Sequence, residues 1–325
     1  MEYVVLIPSD ISQPGKDYLQ SKGYRIKMGR GTDEQTILED AIGCDAMLVR
    51  NEHITRKIME SARQLKVISK HGVGLDKIDL QAARDLNIWV TNGPLSNTVA
   101  VAEHTMMLIL ACAKKLVFFD MAMRSGDYDA RNRIKGMDLE GKTLGLLGLG
   151  KIGNMVAQKA MNGFGMKVIG YDPFLPFEKR NPEIHYCNTA EEVFQESDIV
   201  SIHMPSTPET RNSIGANLIG LMKPTAYLVN AARGDLIREN ELLDALQSGQ
   251  IAGAGLDVFA EEPPNPDNLL FQQPNVVVTP HNAALTKETT DRMGLHAAMG
   301  IDEVLSGITP SWPVVTPTGK RSDVI

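Results

Sequence analysis

The sequence predicts an α/β protein with two doubly wound parallel sheets, and three observations carry that prediction. The first is length: 325 residues, set against a working average of about 150 per domain, leave room for two domains with a core each. The second is rhythm. Short β-branched runs at 3–7, 46–49, 66–69 and 88–90 alternate with amphipathic stretches such as 35–42 and 58–65, the βαβα alternation of a parallel sheet. The third is that the rhythm restarts after Gly141, with strand-like runs at 143–147, 167–171, 198–202, 226–230, 253–258 and 276–279. Two successive open α/β units are the economical architecture.

Between the units lies a helical stretch over 97–111, with cap-capable Asn97 and Thr98 at its start and Lys114-Lys115 beyond its end. A helix apolar on nearly every side must be covered on nearly every side, by the other domain or by a second subunit. A further helix is expected over 287–305, followed by a tail rich in Pro, Thr and Gly that carries no site signal. No repeat of solenoid length is visible.

Composition narrows the class of partner. Lys and Arg number 33 and Asp and Glu 40, for a net charge of −7 and a pI near 5.6. That balance argues against nucleic acid or an anionic membrane surface, both of which need clustered positive charge. Hydrophobic residues at 43% and charged residues at 22% exclude a largely disordered chain. Cys44, Cys112 and Cys187 are odd in number and lack CxxC or Cys/His spacing, so neither a disulfide scaffold nor a metal site is expected, and a reducing, cytoplasmic location fits. The amino terminus has no basic segment of the kind that precedes a signal sequence. The most apolar stretch, 99–113, is interrupted by Glu103, His104 and Thr105 and falls short of the roughly 20 residues of a bilayer span.

The strand at 143–147 runs into Gly148-Leu149-Gly150-Lys151-Ile152-Gly153, and a helical pattern follows. In a dinucleotide loop the first glycine permits the tight turn, the second lets backbone approach a pyrophosphate, and the third lets helix and strand pack closely. The phosphates then meet free N–H groups at the positive end of the helix. By itself the pattern is weak, with about 0.2 matches expected by chance, so its surroundings must decide. A second strand ends in Asp172, 19 residues after the third glycine. A carboxylate there accepts hydrogen bonds from both ribose hydroxyls and repels a 2′-phosphate, which favours NAD over NADP. FAD and S-adenosylmethionine sites also carry a carboxylate at this place. The position of the loop behind a complete α/β unit favours a dehydrogenase whose first domain handles substrate.

Three later segments place polar residues at strand ends, where open α/β sheets hold ligands. Arg233 follows the apolar run 226–230, where a guanidinium can grip a carboxylate through two N–H groups and polarise a neighbouring carbonyl. Asp257, Glu261 and Glu262 follow the next strand, and His281 the last. Histidine is suited to take an alcohol proton near neutrality, and a carboxylate on its other nitrogen fixes the tautomer and stabilises the imidazolium. Glu262 with His281 makes such a pair. On these residues alone, Arg233 is equally a solvated loop arginine, the two glutamates a turn cap before Pro263-Pro264, and His281 a packed ring.

With Gly148, Gly150, Gly153, Asp172, Arg233, Asp257, Glu262 and His281 in this order, the chain resembles the D-2-hydroxyacid dehydrogenases, the phosphoglycerate dehydrogenase branch in particular, over nearly its whole length. The resemblance implies a flavodoxin-like substrate domain over 1–97 plus 288–325 and a Rossmann NAD-binding domain over 98–287, with a cleft between them and a homodimer built on the second. It implies a catalytic triad of Arg233, Glu262 and His281, with no metal. It implies cofactor contacts from Gly148, Gly150, Lys151, Ile152, Gly153, Asp172, Ala231, Arg233 and His281, from Asp257 at the nicotinamide end, and from His203, Pro205 and Thr207 on the adenine side.

The segment 70–76 is similar to the family's substrate-carboxylate loop, so that Val73 and Gly74 supply amides to a 2-hydroxy or 2-keto acid, as a glycine-made anion nest does. Arg50, Lys70 and Arg131 fall where the branch carries cations for a substrate phosphate, although Lys70 and His71 depart from its arginine-containing version. Asn282-Ala283-Ala284 departs from the glycine-rich sequence that often follows the family's histidine. The sequence ends at Ile325, short of the C-terminal regulatory domain of the longer phosphoglycerate dehydrogenases. The expected activity is NAD-dependent oxidation or reduction at C2 of a small acid such as 3-phosphoglycerate, hydroxypyruvate or glyoxylate. A second expectation is an NAD-responsive corepressor of the same fold, which keeps the triad. Formate dehydrogenase shares the fold, but its histidine pairs with glutamine rather than glutamate.

Overall fold

A computed structural model of the protein describes residues 2–319, and residues 320–325 of the expected first domain lie outside the described residues. The elements in chain order are β1 (Val4–Ile7), α1 (Gln13–Ser21), β2 (Arg25–Met28), α2 (Glu34–Ala41), β3 (Ala46–Val49), α3 (Arg56–Ser61), β4 (Val67–Lys70), α4 (Leu80–Asp85) and β5 (Trp89–Thr91). Then come α5 (Thr98–Ala113), α6 (Leu116–Arg124), α7 (Ala130–Arg133), β6 (Thr143–Leu147), α8 (Lys151–Phe164), β7 (Lys167–Tyr171), β8 (His185–Tyr186), α9 (Ala190–Glu196) and β9 (Ile199–Ile202). The chain continues with α10 (Ala216–Ile219), β10 (Tyr227–Asn230), α11 (Glu239–Gln247), β11 (Gly253–Leu256), β12 (Val276–Val278), α12 (Lys287–Leu305) and β13 (Pro313–Val315). Contacts divide it into two compact units, Met1–Asn97 with Ala284–Ile325, and Thr98–Ala283. The second change of unit falls four residues before the expected 287/288 boundary, because the approach to α12 already belongs with the sheet on which that helix packs.

The first unit holds a six-stranded sheet of order β13-β5-β4-β3-β1-β2. Its five N-terminal strands pair in parallel, and β13 closes one edge antiparallel to β5. Without β13 the order is that of flavodoxin. Both edge strands escape the sequence pattern. Arg25–Met28 alternates charge with apolar residues and is not fully buried anywhere, and Pro313–Val315 is three residues long. Inside the sheet, alternate residues feed opposite cores, as strand geometry requires. Leu6, Met47 and Ile68 pack on the side of α2, α3 and α4, while Val5, Leu48 and Val67 pack with Ala297, Ala298 and Ile301 of α12.

The second unit holds a seven-stranded parallel sheet of order β12-β11-β10-β9-β6-β7-β8. The chain starts at β6 in the middle, winds outward through β7 and β8, then crosses back to β9. The switch point between β6 and β9 is where such a sheet opens a crevice at its C-terminal strand ends. One face carries Val200, Ile202, Leu228 and Leu256 against Phe194, Ile219 and Leu242. The other carries Leu144, Leu146, Val168 and Val229 against Leu108, Ile109 and Cys112 of α5 and Val156, Ala157 and Ala160 of α8. Eleven of the sixteen residues of α5 are buried, and it is the sheet of its own unit and α8 that cover them.

Candidate active site

The crevice of the second unit is built at the ends of β6, β7, β9, β10, β11 and β12. At the end of β6, Gly148 turns the chain at φ +91°, and a Cβ there would lie 2.8 Å from backbone atoms of His203. A Cβ on Gly153 would lie 2.2 Å from the carbonyl oxygen of Gly148, whereas one on Gly150 would meet nothing within 4 Å. The first and third glycines are therefore demanded by the protein itself, while the second leaves open space, the allotment a backbone cradle for a pyrophosphate requires. The helices α2, α9 and α12 start under side-chain caps from Asp33, Thr189 and Thr286. In contrast α8 starts at Gly150 with no side chain on its first-turn N–H groups, which leaves them for an anion. Lys151 and Ile152 form its first turn.

Asp172, at the end of β7, is half-buried and ties two turns together. Its Oδ2 accepts from the Leu149 amide at 2.9 Å and its Oδ1 from the Phe174 amide at 3.0 Å. After β9, His203 is held by Ser201 at 2.9 Å, and desolvation pushes its imidazole down to about 4. The loop beyond it closes on itself, with the Thr207 amide donating to Thr210 at 2.8 Å and the Thr210 hydroxyl to the Pro205 carbonyl at 2.7 Å.

At the end of β10, fully buried Asn230 clamps the Ala231–Arg233 turn. Its amide donates to the Arg233 carbonyl at 2.8 Å, and its Oδ1 accepts from the Ala232 N–H at 3.0 Å. Across from it, Glu262 Oε2 accepts from His281 Nδ1 at 2.7 Å, while Oε1 takes the Phe259 amide at 3.3 Å. Burial pushes the Glu262 carboxyl up, but His281, the Phe259 amide and the Arg233 charge outweigh it and leave the group below the ordinary carboxylate range. An ionised carboxylate only accepts, so Nδ1 carries the hydrogen and Nε2 is left for proton exchange with a ligand. The His281 side chain is 45% exposed, as a group that meets a substrate must be. Its backbone sits at φ +50°, a left-handed conformation that histidine tolerates better than branched residues do.

Asp257 holds that conformation. Its carbonyl accepts from the His281 N–H at 2.7 Å, and its carboxylate accepts from the Asn282 and Ala283 amides at 3.0 Å each and from Thr279 at 2.6 Å. Burial raises the carboxyl, but its donors, led by His104, win and hold it below the usual range. The residue is fully buried, and these bonds pin the histidine loop.

The remaining candidates belong to the first unit, except Arg131. After β4, the His71 amide donates to Val49 and Asn92 Nδ2 to the Val73 carbonyl. Among the described residues, the Val73 and Gly74 amides donate to no protein acceptor, as an anion nest requires. Arg50 donates to the Asp10 carbonyl at 2.9 Å, and Lys70 Nζ to the Arg50 carbonyl. Arg131 lies in α7 of the second unit, exposed and stacked on Tyr128 at 4.1 Å. Sequence reasoning missed Asn230, Thr279 and His104 as site builders. The signal for His104 was a polar ring inside an otherwise apolar helix. Asn230 and Thr279 gave none beyond standing at strand ends.

Comparison with known proteins gives the following. The family model described as "D-isomer specific 2-hydroxyacid dehydrogenase, NAD binding domain" matches residues 106–283. The D-3-phosphoglycerate dehydrogenase of Methanocaldococcus jannaschii is 40% identical over 305 residues, which is 93% of this chain and 57% of that protein. The chain thus spans little more than half the length of that relative. The crystal structure of the TT0316 protein from Thermus thermophilus superposes with a TM-score of 0.90 at 35% identity, over 96% of this chain and all of that one. The D-lactate dehydrogenase of Aquifex aeolicus, solved with NAD and lactic acid, gives a TM-score of 0.86 at 28% identity, over 97% of this chain and 100% of that one.

Proposed function

Because the chain belongs to the D-isomer specific 2-hydroxyacid dehydrogenase family, we propose that it is an NAD-dependent oxidoreductase acting at C2 of a small 2-hydroxy acid or the matching 2-oxo acid. One observation carries the reading: the 2.7 Å pair of His281 Nδ1 and Glu262, with the Arg233 charge acting on the same carboxylate. Bound NAD supplies the hydride chemistry. The open space at Gly150 and the uncapped start of α8 suit its pyrophosphate, Asp172 suits its adenosine ribose, and His203, Pro205 and Thr207 the adenine side. Ala231 and Arg233 border the nicotinamide end.

In oxidation His281 Nε2 takes the substrate hydroxyl proton, Glu262 steadies the resulting imidazolium, and Arg233 holds the carboxylate and the developing carbonyl oxygen. In reduction His281 returns the proton. Val73 and Gly74 offer amides to the substrate carboxylate. Arg50, Lys70 and Arg131 are the cations for a substrate phosphate, and the D-3-phosphoglycerate dehydrogenase relatives favour 3-phosphoglycerate as the acid. The test is NADH and NADPH oxidation with phosphohydroxypyruvate, hydroxypyruvate and glyoxylate. Turnover with at least one acid and a preference of tenfold or more for NADH are expected. No oxidation of either cofactor across the panel would overturn the proposal.

The partner we propose is a second copy of this chain, seated on α5, α6 and α8 of the second unit, where Met106, Met107, Leu110, Leu116 and Phe164 line an apolar groove. Met121 and Met123 of α6 are also exposed, and apolar surface patches mark association surfaces. Three unpaired, buried cysteines fit a reducing cytoplasm. No helix among the described residues is long and apolar enough to cross a membrane.

A further inference from the structure

His104 lies in α5, far in sequence from the triad, yet its ring reaches the group that fixes the catalytic loop. Its Nε2 lies 3.0 Å from Thr279 Oγ1 and 3.3 Å from Asp257 Oδ1. The Thr279 hydroxyl has one hydrogen, and it goes to Asp257 Oδ1 at 2.6 Å. Thr279 Oγ1 can then only accept from His104, so Nε2 carries the hydrogen and presents it to Thr279 Oγ1 and, at longer range, to Asp257 Oδ1. Asp257 in turn accepts from the Asn282 and Ala283 amides and, through its carbonyl, from the His281 N–H. The side chain of His104 is 12% exposed and that of Asp257 is not exposed at all. A buried carboxylate of this kind keeps its orientation only while its donors hold it.

We infer that His104 is a positioning residue for the hydroxy-acid chemistry. Acting through Thr279 and Asp257, it sets the 281–283 backbone and so aims the His281 ring. Its hydrogen-bonding neighbours, Thr279 and Asp257, lie outside the triad. The inference rests on the reading of His281 as the acid–base group. It explains why an apolar helix carries a polar ring at this turn.

The test compares H104L and H104Q with the unaltered protein and with T279V and H281N. Glutamine can donate an N–H to Thr279 and leucine cannot. The first readout is amide hydrogen exchange in the ligand-free protein. In H104L the Asn282 and Ala283 amides should exchange about tenfold faster while the strand interiors of both sheets keep their protection, and H104Q should restore most of it. The second is kinetic: kcat should fall about tenfold in H104L with KM for the acid and Kd for NADH changed less than twofold, and the H104L/T279V double variant should be no slower than either single one, as residues on one path behave. Unchanged exchange at 282–283 together with unchanged kcat in H104L, while H281N is inactive, would overturn this inference alone. Full activity in H281N would overturn the reading beneath it. Protection lost uniformly across both sheets would reduce His104 to a packing residue and overturn the inference as well.

Discussion

A 2.7 Å contact between one carboxylate oxygen and one ring nitrogen decides which nitrogen of His281 is free for chemistry. Glu262→Gln keeps the shape and removes the charge. The imidazolium at His281 then loses its charged partner. The reductive kcat/KM is expected to fall about tenfold or more, and steady-state kinetics of the variant check this. An unchanged kcat/KM would assign Glu262 to loop packing instead. At this scale the sequence was informative wherever chemistry restricts residue type. His281, Glu262, Arg233 and Asp172 stand at strand ends, and few other side chains do those jobs. Thr279 was silent, and the polar ring of His104 in an apolar helix could not name its partner, because their meaning is a hydrogen bond spanning 175 residues and no local pattern encodes such a partner.

Elements bring these residues together by ending where they do. The strands β6, β9, β10, β11 and β12 are in parallel register, so their C-terminal loops gather at one edge, and the apolar runs that specify them were readable as buried strands. What could not be read were elements too short or too polar to leave a period: β2, β8 and β13. The joint between β6 and α8 depends on Gly153, whose missing Cβ lets the helix sit against the Gly148 carbonyl. Gly153→Ala forces that joint apart, at about 1–3 kcal/mol for overpacking of this kind. Urea denaturation should show the loss, and NADH titration should show weaker binding. An alanine variant with native stability and native affinity would mean that the helix shifts freely and that the close approach has no role.

At the scale of the whole molecule, acid stability records a histidine that the fold keeps neutral. His71 is 8% exposed, and burial, reinforced by the charges of Arg50 and Lys70, pushes its imidazole down from 6.5 to about 4. Between those values the unfolded chain holds a proton that the folded chain does not, so stability rises with pH across the window. On acidification from pH 6.5 to 4 this group alone costs about 3 kcal/mol. Denaturation curves at pH 7, 5.5 and 4.5 should therefore converge for His71→Gln relative to the unaltered protein, and parallel losses in both would contradict the assignment. The division into two α/β units was legible because the strand rhythm restarts. The return of α12 to the first unit came from the family resemblance alone, because its amphipathic pattern does not say which sheet it covers.

We propose that the second unit's crevice exchanges a hydride at C2 and, through His281, a proton at the oxygen on C2. A direct test supplies NADH deuterated at C4, follows the reduction of the accepted 2-oxo acid by mass spectrometry, and repeats it with His281→Asn. Deuterium is expected at C2 of the 2-hydroxy product, with turnover in the variant lower by about 10²–10⁴ and NADH still bound. Undiminished turnover in the variant, or bound NADH that transfers deuterium to no 2-oxo acid, would contradict it.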